Sequence, residues 1–277
     1  MPNISTGGIK DRAARKHQEI LEREQSILAV ARDLLNEFGF LGLTMERIAE
    51  HVKWSKPTVY QHFASKEEIV LALAREDMME RNAWYERASR FEGRPRERML
   101  ACGLVSSKVY AEHMRDVELA LFSHWLRQNA SSETQLRMME VDMIAHGIHT
   151  KIIQDAVTEG DLTLPESMRP ENVEFALWSL TFGGNMILNA NLPFDKLKDL
   201  RYAKLPTTIA WAGDAFMDGI GWGPRSSEWD YEQTKTRIHK EFFNQIAVGS
   251  TVKDAVKNVK SIGQVSSAMT STNEHPP

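Results

Sequence analysis

Cysteine is almost missing from this chain of 277 residues, which has only Cys102. A single cysteine excludes an intrachain disulfide, and a reducing compartment is the simple interpretation. The residues around it are apolar, among them Met99, Leu100 and Leu104. This neighbourhood predicts a buried, unreactive thiol rather than a redox sensor.

Long apolar runs are also missing. No stretch approaches the ~20 residues that span a bilayer, and the N-terminus lacks the apolar core of a signal peptide. We therefore expect a cytoplasmic protein without membrane contact. The net charge of −4 means that any surface for nucleic acid must be local. Residues 10–66 are the candidate region, with ten Lys or Arg against eight Asp or Glu.

Signatures of catalysis are absent too. The chain has no Gly-x-Ser-x-Gly, no phosphate-binding loop and no dinucleotide-binding glycine pattern. Asp142, His146 and His149 share a helical face at a spacing that could hold a metal ion, and His113 or His124 could add a ligand. Neither His-Glu-x-x-His nor a cysteine-rich ligand set accompanies them. We predict no enzyme, no catalytic residue, no metal and no cofactor.

The informative stretch is residues 44–63, which predicts two short helices joined by a tight turn. Thr44 can cap the first helix, and Ile48, Ala49 and Val52 give it an apolar side. Ser55 can cap the second, and Pro57 falls in its first turn, where a missing N–H costs nothing.

The second helix carries polar groups suited to DNA. With Val59 and Phe63 facing inward, the residues left exposed are Lys56, Thr58, Tyr60, Gln61 and His62. Lysine can bind guanine or phosphate, glutamine suits adenine, and the threonine methyl can touch thymine. An ordinary solvated helix pair remains the alternative on spacing alone.

These residues resemble the tetracycline-repressor (TetR) family of transcription regulators. The match runs from about Ser26 to Leu73, and its most specific part is Tyr60-x-x-Phe63 followed by Ser65-Lys66-Glu67-Glu68. The matching positions are Ala31, Leu34, Leu35, Gly39, Thr44, Ile48, Ala49, residues 56–63 and residues 65–68. One position departs: the family usually has glycine in the turn, where this chain has Lys53 before Trp54. A lysine adopts positive φ only at some cost, so a differently shaped turn is one possibility.

The resemblance implies an all-α fold, in which an N-terminal three-helix helix-turn-helix DNA-binding domain joins a larger helical ligand-binding and dimerisation domain. It also implies a phosphate contact for Lys66 and a four-helix dimer interface built from the last two helices. No segment of the chain alternates in polarity, so the residues themselves also predict no sheet.

Glycine, proline and charged residues mark the predicted domain boundaries of the chain. We predict a flexible basic arm at 1–18, the DNA-binding domain with its linking helix at 19–90, the second domain at 91–248 and a disordered tail at 249–277. Helix one should run from about Glu19 to Phe38 and end at Gly39. Its apolar stripe is Ile27, Leu28, Ala31, Leu34, Leu35 and Phe38, and Phe40, Leu41 and Leu43 should pack it onto the next two helices. Ser65 and Glu68 have the spacing of a capping box for the fourth helix. Further helices are expected at about 96–112, 116–129, 132–159, 170–190, 203–219 and 227–247.

The second domain is rich in aromatic residues and methionine. Most of them are expected in the core, but as a group they would suit a pocket for a bulky apolar ligand. The predicted ligand residues are Phe122, Trp125, Met143, Trp178, Phe182 and Met186. Gly183 and Gly184 would allow close approach of a helix or of that ligand.

The preferred hypothesis is a homodimeric repressor that leaves a palindromic operator in double-stranded DNA when a small, largely apolar effector binds. Lys56, Pro57, Thr58, Gln61 and His62 would face bases or nearby backbone, and Thr44, Tyr60 and Lys66 would hold phosphates. An activator or a ligand-independent regulator of the same fold is an alternative. From another class, the alternative is a metal-dependent enzyme or a small-molecule carrier with a vestigial helix-turn-helix.

Overall fold

The structure, a computed structural model, describes residues 6–107, 124–189 and 205–243. These residues form helices and no strand, which confirms the all-α prediction. The helices are α1 (Thr6–Gly42), α2 (Met45–Val52), α3 (Lys56–His62), α4 (Lys66–Ala88), α5 (95–107), α6 (His124–Gln128), α7 (Ser132–Thr158), α8 (Pro170–Asn189), α9 (Leu205–Gly219) and α10 (Tyr231–Ile238). A π-helical turn (His239–Phe243) follows α10, and the tail predicted at 249–277 lies outside the described residues.

Helix α1 begins at Thr6 rather than near Glu19, so residues 6–18, predicted as a flexible arm, are helical. Good helix formers such as Ala13 and Ala14 occupy this segment, and Gln18 donates to Glu22 one turn on, at 3.0 Å. Near its other end, Gly39 adopts φ 66° and interrupts the helical backbone, as predicted from its position.

The chain divides into two compact units, Met1–Asp77 with Arg115–Met139 and Met78–Met114 with Glu140–Pro277. The domain limits predicted at residues 18, 90 and 248 stay predictions. Among the described helices, none combines the length and apolar character that a bilayer crossing requires.

The first unit is built on the apolar stripe of α1. Ile27, Leu28, Ala31, Leu34 and Leu35 are buried, as their spacing predicts. Their neighbours in the core come from the next three helices and include Leu43, Ile48, Val59, Ile69, Val70 and Leu73. Two predictions about this core are wrong.

Phe38 and Leu41 are exposed, with Leu41 at 90%. The stripe continues in sequence past the point where other helices cover it, so Phe38 instead lies under the Arg47 guanidinium, 4.6 Å from the ring centroid.

The capping box predicted at α4 forms only in part. The backbone N–H of Glu68 donates to Ser65 Oγ at 3.3 Å, which is the expected cap. The Glu68 carboxylate does not return to Ser65. It accepts from the backbone N–H of Ser131 and the hydroxyl of Thr134, and so binds the start of α7 within the same unit.

In the second unit, a buried arginine organises the segment after α9. Arg96 is fully buried, and its terminal nitrogens donate to five oxygens: Asp218 Oδ1 at 2.6 Å, Trp222 O at 2.8 Å, Pro224 O at 2.9 Å, Ser226 Oγ at 3.1 Å and Asp214 O at 3.3 Å. The Tyr231 ring lies 4.7 Å from its Cζ. These contacts satisfy a charge that would otherwise be costly to bury.

Cys102 is buried in the apolar core of this unit, as predicted. Burial raises the pKa of its thiol to about 12. The thiolate needed for oxidation or metal binding is therefore disfavoured.

Candidate nucleic-acid interface

Helix α2 starts as its sequence predicts. Thr44 has an extended backbone, and its hydroxyl accepts from the N–H of Arg47 at 3.2 Å. Ile48 and Ala49 are buried and fix the side of α2 that faces the core, while Val52 is half-buried. The hydroxyl of Thr44 is thus engaged in capping.

The turn after α2 keeps the shape that glycine normally provides. Lys53 has a left-handed backbone with φ 59° and ψ 38°. Its N–H donates to Glu50 O at 3.2 Å and that of Trp54 donates to Ala49 O at 3.0 Å, the pattern of a Schellman helix end. Lysine therefore takes the glycine conformation with its side chain exposed, and the turn is not reshaped.

Helix α3 begins at a Ser55 cap. The Ser55 hydroxyl accepts from the N–H of Thr58 at 3.3 Å and lies 2.7 Å from the Thr58 hydroxyl. Pro57 occupies the first turn, where no N–H is required. Val59 is completely buried and fixes the inner face of α3. The residues on its outer face are therefore set by helical periodicity.

The outer face carries Lys56, Pro57, Tyr60 and Gln61, all exposed, with Thr58 half-buried. His62 does not belong to this face, so its predicted exposure is wrong. Its side chain is 8% exposed, with Nδ1 3.7 Å from Glu24 Oε1 and its ring 6.4 Å from that of Trp54. The end of α3 lies against α1 and the turn, which cover the imidazole.

Lys56 is paired with an acid that sequence reasoning did not single out. Its Nζ donates to the carboxylate of Glu46 on α2, and both side chains are about half exposed. This hydrogen bond raises the pKa of Lys56 and lowers the pKa of Glu46. The candidate interface therefore contains an exchangeable ion pair.

Lys66 lies at the start of α4. Its Nζ donates to the carbonyl of Phe40 at 3.1 Å and is 4.2 Å from the Phe40 ring centroid. One carbonyl uses one of three ammonium hydrogens, so Lys66 retains donors for an anion. Other exposed cations on α1, α2 and the turn are Arg12, Arg15, Lys16, Arg23, Arg47 and Lys53.

Comparison with known proteins identifies this unit. Residues 27–73 match the family model described as bacterial regulatory proteins, tetR family. Residues 27–73 therefore carry the N-terminal domain of the tetR family. They comprise the C-terminal part of α1, all of α2 and α3, and the start of α4.

Individual relatives match a segment of the chain of similar length. The chain is 44% identical over 59 residues to the HTH-type transcriptional repressor AcnR of Corynebacterium diphtheriae, which is 21% of this chain and 31% of that protein. It is 31% identical over 73 residues to the HTH-type transcriptional regulator RutR of Escherichia coli, which is 26% of this chain and 34% of that protein. The match thus spans about a third of each relative's length.

Solved structures extend the likeness in fold. A bacterial regulatory protein of the tetR family from Rhodococcus RHA1 matches with a TM-score of 0.55 and 17% identity, over 72% of this chain and 97% of that one. The TetR-family regulator PfmR of Thermus thermophilus matches with a TM-score of 0.51 and 19% identity, over 72% and 98%. At these identities the likeness concerns the fold.

The predicted ligand residues fall into three groups. Trp178 and Phe182 stack on α8 with ring centroids 4.8 Å apart, and they and Met186 are half-buried. Met143 is exposed. Phe122 and the side chain of Trp125 lie outside the described residues. A Cβ on Gly184 would lie 2.6 Å from Ile209, so Gly184 serves the packing of α8 on α9, whereas a Cβ on Gly183 would meet nothing within 4 Å.

The histidines of α7 face a buried acid of α8 that the sequence did not point to. Glu174 Oε1 is 2.7 Å from Nδ1 of His146 and 3.8 Å from Nδ1 of His149. The hydrogen bond to Glu174 raises the pKa of His146. Burial alone would raise the pKa of Glu174, but the hydrogen bond from His146 and the nearby His149 outweigh it and lower that pKa. Within the described ranges, no three His, Cys, Asp or Glu residues are grouped to hold a metal ion.

Proposed function

We propose that the protein is a homodimeric DNA-binding transcriptional repressor controlled by a small-molecule effector. The observation that carries the proposal is the outer face of α3, where a capped helix exposes Lys56, Tyr60 and Gln61 to solvent. The repressor AcnR, which matches this region, supports the assignment. The DNA partner implies action in the compartment that holds the chromosome.

Within the interface the residues divide into two roles. Gln61 and Lys56 read base edges, because an amide matches adenine and an ammonium matches guanine. Tyr60 and Lys66 bind phosphates and fix the register of α3 in the major groove. Thr44 supports the second role from the start of α2, where free N–H groups attract a phosphate. Pro57 and Thr58 complete the surface near the backbone, and His62 acts by packing rather than contact.

Homodimerisation is supported by the outer surface of α8 and α9. The exposed residues of α8 from Asn172 onward and the described exposed residues of α9 are all uncharged. They include Phe175, Ser179, Leu180 and Ile187 on α8, and Thr207, Ala210, Trp211 and Ala215 on α9. Such a surface is typical of an interface that a partner covers. We assign it to a second copy of this chain, because a two-fold dimer matches a palindromic operator with half-sites ~34–36 Å apart.

An effector would act by binding better to a dimer whose two α3 helices do not fit the operator. It can weaken DNA binding only by its difference in affinity between the two states, and DNA weakens effector binding reciprocally. The proposal assigns no catalytic residue.

The test is selection from a random-sequence duplex library at near-physiological salt. We expect a palindromic consensus for the native chain and its loss with Tyr60→Ala. Tyr60→Phe is the matched control, since it removes only the hydroxyl and should weaken binding without changing the consensus. Lys56→Gln should relax one consensus position, and Lys66→Gln should weaken all sequences alike. Binding without any sequence preference in the native chain would contradict the proposal.

A further inference from the structure

A cluster of polar side chains lies inside the second unit, away from α3. It consists of Arg81 and Tyr85 on α4, His146 and His149 on α7, and Glu174 on α8. Arg81, Tyr85 and Glu174 are 7%, 4% and 6% exposed. The Tyr85 ring is central, with the His149 ring centroid 4.7 Å away and the Arg81 Cζ 5.5 Å away.

Arg81 is a buried cation that has no anion partner among the described residues. In that part of the chain it makes no ion pair and no hydrogen bond, its Nε is buried without a partner, and its Cζ lies 5.5 Å from the Tyr85 ring centroid. The buried Arg96 and the half-buried Arg98 differ. Their Nε atoms also lack a partner, but their terminal nitrogens bind carboxylates, Asp218 for Arg96 and Asp155 and Glu159 for Arg98.

The one buried carboxylate of the cluster does not neutralise Arg81. Glu174 accepts from His146 at 2.7 Å and lies at ion-pair distance from His149. A second buried polar atom of the cluster also lacks a hydrogen-bond partner, Nε2 of His149. A buried guanidinium without partners costs several kcal/mol in general. Its retention is explained if a ligand supplies the missing anion.

Beside this polar group lies an aromatic one. The centroid of the Trp178 ring is 5.7 Å from that of His146 and 4.8 Å from that of Phe182, on which it stacks. The polar cluster, which contains Arg81 of α4, is therefore joined through His146 to two half-buried aromatic rings of α8. A matching ligand has an anionic head and an aromatic body.

We propose that this cluster binds a monocarboxylic acid with an aromatic body, its carboxylate on Arg81 and its ring against Trp178 and Phe182. The acid is the effector, so this step rests on the proposed function. A dianion such as a phosphate monoester fits less well. Among the described residues of the cluster only one cation, Arg81, lacks a partner, while Glu174 and the half-exposed Asp142 add negative charge beside His146.

The experiment uses thermal unfolding of the full chain with the acids phenylacetate, 3-phenylpropanoate, 4-phenylbutanoate and 5-phenylpentanoate at 1 mM. Each acid is paired with its amide, which has the same body without the charge. We expect at least one acid to raise Tm by several degrees, as ligand at ~100 times its Kd does, and its amide to have little effect. If no acid raises Tm more than its own amide does, the proposal is overturned.

Variants make the test independent of the acid chosen. Arg81→Met should abolish the acid-dependent shift and leave Tm of the free protein unchanged or higher, because a buried unpaired charge is removed. Arg81→Lys should show a smaller acid-dependent rise in Tm, since lysine retains the positive charge but lacks the planar guanidinium that binds a carboxylate through two hydrogen bonds. Arg98→Met is the matched control and should lower Tm, because Arg98 holds two carboxylates. A lower Tm for Arg81→Met would assign Arg81 a structural role and overturn the proposal.

A last measurement separates this site from the regulator assignment. The stabilising acid should weaken binding to the selected operator at least 5-fold, and not in Arg81→Met. Acid binding without an effect on DNA would reject the effector role and keep the site. Absence of any operator would reject the proposed function while leaving the acid binding intact.

Discussion

Lys56 at the start of α3 donates a hydrogen bond to the carboxylate of Glu46 on α2, ten residues earlier and on the neighbouring helix. The pair spans the turn of the helix-turn-helix on its exposed side. A carboxylate there competes with DNA for the ammonium and repels phosphate. We therefore expect Glu46 to tune the DNA affinity of the proposed interface, and both members of the pair can be tested.

Glu46→Gln should raise DNA affinity about 3- to 10-fold at low salt, because it frees Lys56 and removes a negative charge. Titration of the selected operator by fluorescence anisotropy at several salt concentrations measures this. Glu50→Gln is the control: it makes the same charge change on an exposed residue of α2. Equal gains for both variants would show that the pairing with Lys56 is unimportant.

Lys53→Gly should make the protein more stable than Lys53→Ala by about 1 kcal/mol, because φ 59° strains every residue that has a Cβ. Urea unfolding of the two variants measures the difference. Both lack the lysine charge, so they should lose the same amount of DNA affinity relative to the native chain. If alanine is as stable as glycine, the left-handed conformation does not persist in solution.

Trp211→Glu should convert the dimer to a monomer, because it places a charge at the centre of the uncharged α8–α9 surface, where Trp211 is 67% exposed. Sedimentation equilibrium reports the mass directly. Leu136→Glu, at a comparably exposed apolar residue of the first unit, should leave the dimer intact. A dimer that survives Trp211→Glu would place the interface elsewhere.

His146 gives the second unit a pH dependence. Its pKa is raised in the native state by Glu174, so its contribution to stability is present below the ordinary pKa of histidine and is lost as pH rises through the raised value. The pKa of Glu174 is lowered, so its contribution is present above the ordinary pKa of glutamate and is lost as pH falls through the lowered value. The pair therefore stabilises the protein most between these limits.

The measurement is the free energy of unfolding in urea at pH 6 and pH 8.5. His146→Gln should remove about 1 kcal/mol or less at pH 6, since the imidazole is partly solvated, and still less at pH 8.5. Asp142, Arg81 and His149 also surround His146, so His17→Gln, at an exposed histidine, controls for general charge. An identical pH dependence in both variants would contradict the assignment.

Local signals in the sequence predicted the first unit well. Caps at Thr44 and Ser55 and the break at Gly39 depend on neighbouring residues only, and helical periodicity is enough to bury Ile48 and Val59. Such signals say nothing about where a covering helix ends. Phe38 was therefore assigned to the core and His62 to the surface, each wrongly.

Long-range partners could not be predicted. Glu68 has the spacing of a capping box, but its carboxylate instead accepts hydrogen bonds from Ser131 and Thr134, which lie 63 and 66 residues later in the chain. Arg81 follows a run of charged residues in α4 and so resembles part of a solvated face. Its burial depends on α7 and α8, and only their packing reveals an arginine that has no anion partner among the described residues.

The contacts of Arg96 impose an order on biosynthesis. The oxygens that receive its hydrogen bonds lie 118 to 130 residues further along the chain. A nascent chain that has not yet emerged from the ribosome as far as Ser226 cannot bury this guanidinium with its charge matched. The second unit therefore completes its folding only after the residues up to Ser226 have been synthesised. A protein truncated before α9 would leave the Arg96 side chain in water.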